Sequence, residues 1–238
     1  MQAHERRRAN DILQQLTLEE KVNLLHGGFL SGGVPRLGIP PLVCADGPVG
    51  IRKLTGPGSP RSVGGEVEDN KALTAEGRPT ALPATLSLAA TFNRDTARAY
   101  GALIAREALA LGIHVVLGPG VNLMRDPRCG RNFEYLGEDP LLTGSLAGAY
   151  IEGMQDLRVG ACLKHYFAND AEHLRHYTSS NMTERTAREM HLAPFAIGCL
   201  EAHAWSVMTG NNLVSGRHVS ENPDALEHHS HGDLRRQP

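Results

Sequence analysis

The chain has 238 residues, enough for one α/β domain of barrel size or two smaller domains, and its 41% apolar content can form a buried core. Its 24 basic and 26 acidic residues nearly cancel, which argues against nucleic acid or a membrane surface as a partner. Glycine (26) and proline (14) are abundant and aromatic residues make up only 5%, which favours a fold with many strand-to-helix turns over a coiled coil or a disordered chain.

The four cysteines indicate reduced thiols. Cys44, Cys129, Cys162 and Cys199 lie far apart without a C-x-x-C pair, so neither a zinc ribbon nor a thioredoxin-type motif is present. The amino terminus is polar and charged, without the apolar core of a secretory signal, and no later run approaches the length of a membrane span. We therefore expect a cytoplasmic protein.

The first predicted elements are a helix and a strand. Asn10 to Leu25 carry apolar residues at near-helical spacing, and Thr17 precedes Leu-Glu-Glu-Lys as an N-cap would. Leu37 to Cys44 predicts the first strand, and Asp46 follows it in a Gly-Pro turn. Asp46 allows two interpretations: an aspartate before glycine commonly bonds its own backbone, and a carboxylate at the carboxyl end of a strand commonly binds a ligand.

The next segment predicts a loop, a short apolar element and a helix. Lys53 to Arg78 is rich in glycine, proline and charge, and we interpret it as a long loop, either a lid or an insertion. Ala81 to Thr91 predicts a second strand or a buried irregular stretch. Asn93 to Leu111 is the clearest helix of the chain, with Gly112 as its stop.

Two further elements follow at similar spacing. His114 to Leu117 predicts a continuous apolar strand, and Asp126 to Pro140 is a loop dense in charge. Leu141 to Met154 predicts a second helix, in which Gly144 and Gly148 permit close packing on a sheet.

Gly160 to Phe167 is predicted as the next strand, and it places Lys164 and His165 side by side at its end. Polar residues crowd the positions that follow, namely Asn169, Asp170, Glu172, His173 and Arg175. One interpretation is that these residues simply leave the core and meet solvent. The other is that the carboxyl ends of parallel strands collect ligand groups, so that these side chains hold an oxygen-rich ligand.

The last predicted elements complete an α/β pattern. Thr183 to Ala202 predicts a helix broken or kinked at Pro194, and Ala204 to Met208 predicts another strand. Strands that alternate with helices predict parallel βα units. The predicted fold is therefore α/β, a TIM-like (β/α) barrel that is incomplete, with about five to six βα units. An open doubly wound nucleotide-binding sheet is the weaker option, because no G-x-G-x-x-G or P-loop follows the first strand.

Five segments taken together resemble a known family. They read DGPVGIR (46–52), DPRCGRNFEYLGEDP (126–140), KHYFANDAEHLR (164–175), TERTAREMHLAPF (183–195) and SENP (220–223). In this order and at these separations they resemble the N-terminal barrel domain of the family 3 glycoside hydrolases, the β-glucosidase and β-xylosidase type. We therefore expect that domain over residues 1–223 and a divergent polar tail over residues 224–238.

The resemblance implies sugar-binding roles for five residues. In the family, the carboxylate matching Asp46 binds outer hydroxyls of the terminal sugar, and the basic residues matching Arg131, Lys164, His165 and Arg175 bind the remaining hydroxyls. A pyranose presents hydroxyls that both donate and accept, so a carboxylate with several donors suits it. The run YFAND after the Lys-His pair favours the glucosidase and xylosidase branch, because the N-acetylglucosamine branch carries Phe-Pro-Gly-His-Gly there.

The sequence departs from the family pattern in its catalytic carboxylates. Retaining glycosidases need a nucleophile and an acid. In the family the nucleophile is an aspartate in a Ser-Asp-Trp-like turn after the next strand, and the acid usually comes from a second domain, so we expect both beyond Pro238. Asp233 lies in a polar segment without a strand, so we do not expect it to be the nucleophile. Asn211 stands where the family has a tyrosine, and we expect the nearby tail histidines to be solvated.

The sequence therefore predicts a retaining hydrolase of terminal β-D-glucosyl or xylosyl residues, in which this chain supplies the (−1) sugar-binding subsite and is weakly active or inactive alone. The alternative is a non-catalytic carbohydrate-binding or regulatory remnant of such an enzyme. A third possibility is an unrelated enzyme with Asp46 and Glu134 as its acid-base pair. We expect a β-glucoside or oligosaccharide as substrate, no cofactor, no metal, no nucleic acid and no membrane. A missing C-terminal domain or a homo-oligomer would complete the molecule.

Overall fold

A parallel sheet organises the fold in the computed structural model, which describes residues 3–25, 32–52 and 79–226. The strands of the chain are β1 (Cys44–Asp46), β2 (Val115–Leu117), β3 (Gly160–Tyr166), β4 (Ser179–Ser180), β5 (Ser206–Thr209), β6 (Leu213–Val214) and β7 (Arg217–His218). The main sheet has the order β1-β2-β3-β5, and all of its neighbouring strands are parallel. A small second sheet has the order β4-β6-β7.

Helices connect the strands of the main sheet. They are α1 (Ala3–Gln15), α2 (Leu18–Leu25), α3 (Thr85–Ala89), α4 (Arg94–Ala110), α5 (Pro140–Gln155), α6 (Glu184–Thr186) and α7 (Ala193–Ala196). The π-helical turns Ala187–Leu192 and Ile197–Glu201 join α6 and α7 into one helical run. The 3₁₀ turns are Pro35–Leu37, Asn132–Glu134 and Val219–Glu221. None of the helices in the described ranges is long and apolar enough to cross a membrane.

This architecture confirms the predicted α/β class and the TIM-like arrangement of βα units. The described residues contain four strands of the main sheet, compared with the five to six predicted units, and within these residues the sheet does not close into a barrel. The core lies between this sheet and helices α4 and α5, where Ile104, Val116, Ile151 and Leu163 are almost fully buried.

Side-chain caps explain where helices α2, α4 and α5 begin. Thr17 Oγ1 accepts from Glu20 N at 3.2 Å and Glu20 Oε2 accepts from Thr17 N at 2.8 Å, a reciprocal capping box. The predicted N-cap at Thr17 is therefore confirmed, and it divides the predicted Asn10 to Leu25 helix into α1 and α2. Asn93 caps α4 through a 3.0 Å bond from Thr96 N, and Asp139 caps α5 in the same way.

Two predicted strands differ from the structure. Within Ala81 to Thr91, predicted as a strand or a buried irregular stretch, Thr85–Ala89 forms helix α3, because a short apolar run alone does not distinguish a strand from a helix. The predicted strand Leu37 to Cys44 begins only at Cys44, since Pro40 and Pro41 have no N–H to donate to a sheet. The predicted loop Lys53 to Arg78 and the tail beyond Leu226 lie outside the described residues.

Close packing of helices depends on glycines of α4 and α5. A Cβ atom at Gly153 of α5 would lie 2.1 Å from the Arg98 carbonyl oxygen of α4. A Cβ at Gly144 would lie 2.5 Å from Ile197 Cδ1, so this glycine packs against the helical run rather than on the sheet as predicted. By contrast, a Cβ at Gly148 would meet nothing closer than 3.6 Å, from the Ala202 side chain.

We expect Gly153→Ala to lower the free energy of unfolding by about 2 kcal/mol, because the methyl group would push two helix backbones apart. Gly148→Ala is the matched control, with the same substitution in the same helix. It has room for the methyl group, so the higher helix propensity of alanine should raise stability by up to about 1 kcal/mol. Urea unfolding followed by circular dichroism measures both values, and equal effects of the two substitutions would contradict the packing argument.

Candidate functional site

The predicted site is built around Lys164, which projects from β3 near its carboxyl end. Its Nζ atom lies 3.0 Å from Oδ1 of Asp46, the last residue of β1, and only 2% of the lysine side chain is exposed. The segment after β2 lines up beside β3, since Lys164 O accepts from Val121 N at 2.8 Å. A buried ammonium is stable only beside anionic or acceptor groups, so this lysine needs the carboxylate that β1 delivers.

Glu134 is the second carboxylate at this lysine. Its Oε2 lies 3.3 Å from Lys164 Nζ, its Oε1 accepts from Nε of Arg131, and 4% of its side chain is exposed. The sequence predicted Glu134 only as the acid-base partner of Asp46. Because both of its oxygens face cations and almost none of its surface is open, the geometry makes it a partner of the cations rather than a group that reaches a substrate.

Ion pairs extend from this centre in both directions. Arg52 Nη1 lies 3.6 Å from Asp46 Oδ2 at one end. At the other end, Glu172 lies between Arg131 Nη1, at 3.9 Å, and Arg175 Nη1, at 2.7 Å. We call the resulting set the charge chain; in order it contains Arg52, Asp46, Lys164, Glu134, Arg131, Glu172 and Arg175.

Exposure varies along the charge chain in a way that suits ligand binding. Lys164 and Glu134 are buried, whereas the side chains of Asp46, Arg131 and Arg175 are 31%, 22% and 31% exposed. The buried members can hold the others in position, and the open members, which also include Glu172 at 22% and Arg52 at 74%, present two carboxylates and three guanidinium groups. Such a surface offers charge-assisted donors and acceptors to a neutral, hydroxyl-rich molecule.

His165 lies beside the charge chain and is 4% exposed. Asn122 bonds it at three points: Oδ1 accepts from its backbone N at 2.9 Å and lies 3.2 Å from Nδ1, and Nδ2 donates to its carbonyl oxygen at 2.9 Å. Burial lowers the pKa of His165 to about 2, with further lowering by the positive charges of Arg131, Lys164 and Arg175. The imidazole is therefore neutral at physiological pH.

The structure thus brings the five predicted sugar-binding residues into one cluster, and it adds Arg52, Asn122, Glu134 and Glu172. Arg52 was visible as the end of the DGPVGIR segment, whereas nothing in the sequence marked the amide of Asn122. Not every polar residue after β3 joins the cluster. Asp170 accepts from Leu123 N at 3.2 Å and lies 3.0 Å from His191 Nδ1, and His173 is exposed.

The carboxyl-terminal departures from the family pattern lie at the edge of the described structure. Asn211 is exposed just after β5. Ser215 and Gly216 form the turn between β6 and β7, both with positive φ. Asp233 and the histidines of the tail lie outside the described residues.

Curated proteins similar to this chain are β-glucosidases. Thermostable beta-glucosidase B of Acetivibrio thermocellus is 40% identical over 214 residues, which cover 89% of this chain and 27% of that protein. Beta-glucosidase B of Emericella nidulans is 39% identical over 213 residues, which cover 89% of this chain and 23% of that protein. The chain therefore spans about a quarter of the length of these relatives.

Solved structures give the same result. Beta-glucosidase 3B from Thermotoga neapolitana, solved in complex with glucose, has a TM-score of 0.83 at 36% identity over 94% of this chain and 32% of that chain. DesR, a beta-glucosidase from Streptomyces venezuelae solved in complex with D-glucose, has a TM-score of 0.78 at 35% identity over 97% of this chain and 27% of that chain. The family described as Glycosyl hydrolase family 3 N terminal domain matches residues 63–230. The chain belongs to glycosyl hydrolase family 3.

Proposed function

We propose that this chain binds the terminal β-D-glucosyl or xylosyl residue of a glycoside and forms the (−1) subsite of a retaining β-glucosidase. The observation that carries the proposal is the cluster itself. Asp46, Arg131, Lys164 and Arg175 come from separate parts of the sequence and are joined in one charge chain, with His165 beside it. The relatives solved with glucose support the same substrate class.

The chemistry of the cluster suits a pyranose. Each sugar hydroxyl donates one hydrogen bond and accepts up to two, so it binds best where donors and acceptors alternate. The carboxylate of Asp46 accepts, whereas the guanidinium groups of Arg131 and Arg175 only donate. Because the charges alternate along the chain, a neutral sugar can replace water at the exposed members without leaving a buried charge unpaired.

We further propose that the two catalytic carboxyl groups come from residues outside these 238. A retaining glycosidase needs a nucleophile and an acid. The carboxylates of the charge chain, Asp46, Glu134 and Glu172, are all held by cations. With the carboxylates of the charge chain occupied in this way, we expect the chain alone to be weakly active or inactive, and a C-terminal domain or a further copy would supply what cleavage requires.

The same observation favours one alternative, a carbohydrate-binding or regulatory role without cleavage. The two proposals differ in turnover but share sugar binding. Steady hydrolysis of an aryl β-glucoside by the purified chain, abolished by Asp46→Ala or Lys164→Ala, would overturn the proposal that the chain alone is inactive. An active preparation insensitive to both substitutions would indicate a contaminant.

The experiment that tests sugar binding is calorimetric titration of the folded chain with glucose. We expect measurable heat for the wild type, and Asp46→Asn should weaken binding roughly 10- to 100-fold because charge-assisted hydrogen bonds to the sugar are lost. Asp95→Asn, an exposed aspartate in the first turn of α4, is the control and should bind like the wild type. A folded wild-type chain that gives no heat with glucose or gluconolactone removes the proposal.

A further inference from the structure

The bonds between Asn122 and His165 determine which way the asparagine amide points. The backbone N–H of His165 donates to Oδ1 at 2.9 Å, and its carbonyl oxygen accepts from Nδ2 at 2.9 Å. A backbone N–H only donates and a carbonyl only accepts, so exchanging the amide oxygen and nitrogen would break both bonds. The side chain is 2% exposed and has no solvent to compensate for such a flip.

This orientation in turn determines the position of the imidazole proton. Asn122 Oδ1, which only accepts, lies 3.2 Å from Nδ1 of His165, so a bond forms only if Nδ1 carries the hydrogen. The hydroxyl group of Tyr135 fits a proton on Nδ1. It donates its own hydrogen to Asn169 O at 3.4 Å, so its oxygen, 3.3 Å from Nδ1, is free to accept from the Nδ1–H group. With Nδ1 unprotonated, two lone pairs would face each other inside the core.

The opposite nitrogen, Nε2, is then a pure acceptor. The ring is neutral because of its low pKa, so a proton on Nδ1 leaves a lone pair on Nε2. Within the described ranges, the protein atoms that bond the ring do so at Nδ1, and Nε2 is not among the buried atoms that lack a partner. Nε2 is therefore the ring nitrogen that the described protein atoms leave available to a ligand.

We propose that Asn122 is a positioning residue that holds His165 in the Nδ1–H tautomer, so that Nε2 accepts a hydrogen bond from one hydroxyl group of the bound sugar. The inference rests on the proposed sugar-binding function, whose site it refines. The positive side chains that influence His165 are those of Arg131, Lys164 and Arg175, and they only donate hydrogen bonds. A sugar hydroxyl bound beside them therefore accepts a bond from one of these side chains and donates its own hydrogen to Nε2. A group that has no hydrogen to donate, such as fluorine or a carbonyl oxygen, leaves Nε2 unpaired and is rejected.

Nitrogen NMR of the full chain labelled with ¹⁵N-histidine tests the tautomer directly. His165→Gln identifies the signals of His165 by their disappearance. We expect Nδ1 to be protonated and Nε2 unprotonated across about pH 5 to 8, and we expect glucose to shift the Nε2 signal while Nδ1 keeps its proton. A protonated Nε2, with or without glucose, overturns the inference.

Calorimetric titration with glucose separates the inference from the proposed function. Heat on binding without a shift of Nε2 overturns the inference and leaves the sugar site intact, whereas a wild-type chain that gives no heat overturns both. Asn122→Ala should lower glucose affinity about tenfold and produce a mixture of tautomers, whereas Asn10→Ala, at an exposed position of α1, should change neither. If Asn122→Ala does not fold, the wild-type spectra still decide between the two tautomers.

Discussion

Replacing Glu134 with methionine is expected to lower the free energy of unfolding by about 3 to 5 kcal/mol, the cost of breaking a buried ion pair from one side. Its carboxylate contacts Lys164 Nζ at 3.3 Å and Arg131 Nε, and the lysine side chain is 2% exposed. Without Glu134, the ammonium group keeps Asp46 as its carboxylate partner in the charge chain, and water cannot replace the lost charge inside the core.

Two controls separate burial from charge. Glu172→Met removes a carboxylate of the same charge chain that is 22% exposed, so solvent screening should reduce its cost to about 1 kcal/mol. Glu138→Met, at an exposed position of the same loop as Glu134, should change stability by less than about 0.5 kcal/mol. Urea unfolding measures all three, and equal effects at Glu134 and Glu138 would show that the buried contacts do not stabilise the fold.

A double substitution extends the argument. If the cost at Glu134 arises because the ammonium of Lys164 loses one of its two carboxylate partners, then Lys164→Met should cost less in the Glu134→Met background than in the wild type. The coupling energy between the two sites should be of the order of 1 to 3 kcal/mol, the range for contacting residues. If the effects of the two substitutions simply add, the destabilisation comes from altered packing and not from the lost charge pair.

The sequence predicted those parts of the site that depend on strand ends. Asp46 and Lys164 could be identified because each follows or ends an apolar run, and parallel strands bring such positions together at one edge of a sheet. Helix α4 was predictable for a similar local reason, namely clear helical periodicity with Gly112 as its stop.

Other parts depend on contacts between distant segments. Glu134 pairs with Lys164 only because the 126–140 loop folds over β3, and no local pattern encodes that approach. Nothing in the sequence marked Asn122, because its contacts are with a residue 43 positions away. Helix α3 within Ala81 to Thr91 was not predicted, because the short apolar run fits a strand or a buried helix equally well.

His165 should make the stability of the fold depend on pH. Its pKa is about 2 in the folded chain, compared with an ordinary value of 6.5, because burial penalises the charged ring. The unfolded chain therefore binds a proton below pH 6.5 that the folded chain does not bind, and acid favours unfolding. The contribution of His165 is fully present above pH 6.5 and declines as pH falls towards 2.

We expect the stability lost through His165 between pH 6.5 and about pH 4.5 to amount to about 2 to 3 kcal/mol, since each pH unit below the pKa of the unfolded chain costs about 1.4 kcal/mol. His165→Gln removes the titrating group, so its free energy of unfolding should fall less steeply than that of the wild type between about pH 6.5 and 4.5. Urea unfolding at several pH values gives the free energy of unfolding of both proteins. Subtracting one curve from the other cancels the contribution of the carboxylates, which the two proteins share. His173→Gln, at an exposed histidine in the segment after β3, is the control for the substitution itself and should keep the wild-type slope. Parallel curves for His165→Gln and the wild type would mean that the imidazole of His165 gains its proton as readily in the folded chain as in the unfolded one, and the acceptor role of Nε2 would lose its electrostatic basis.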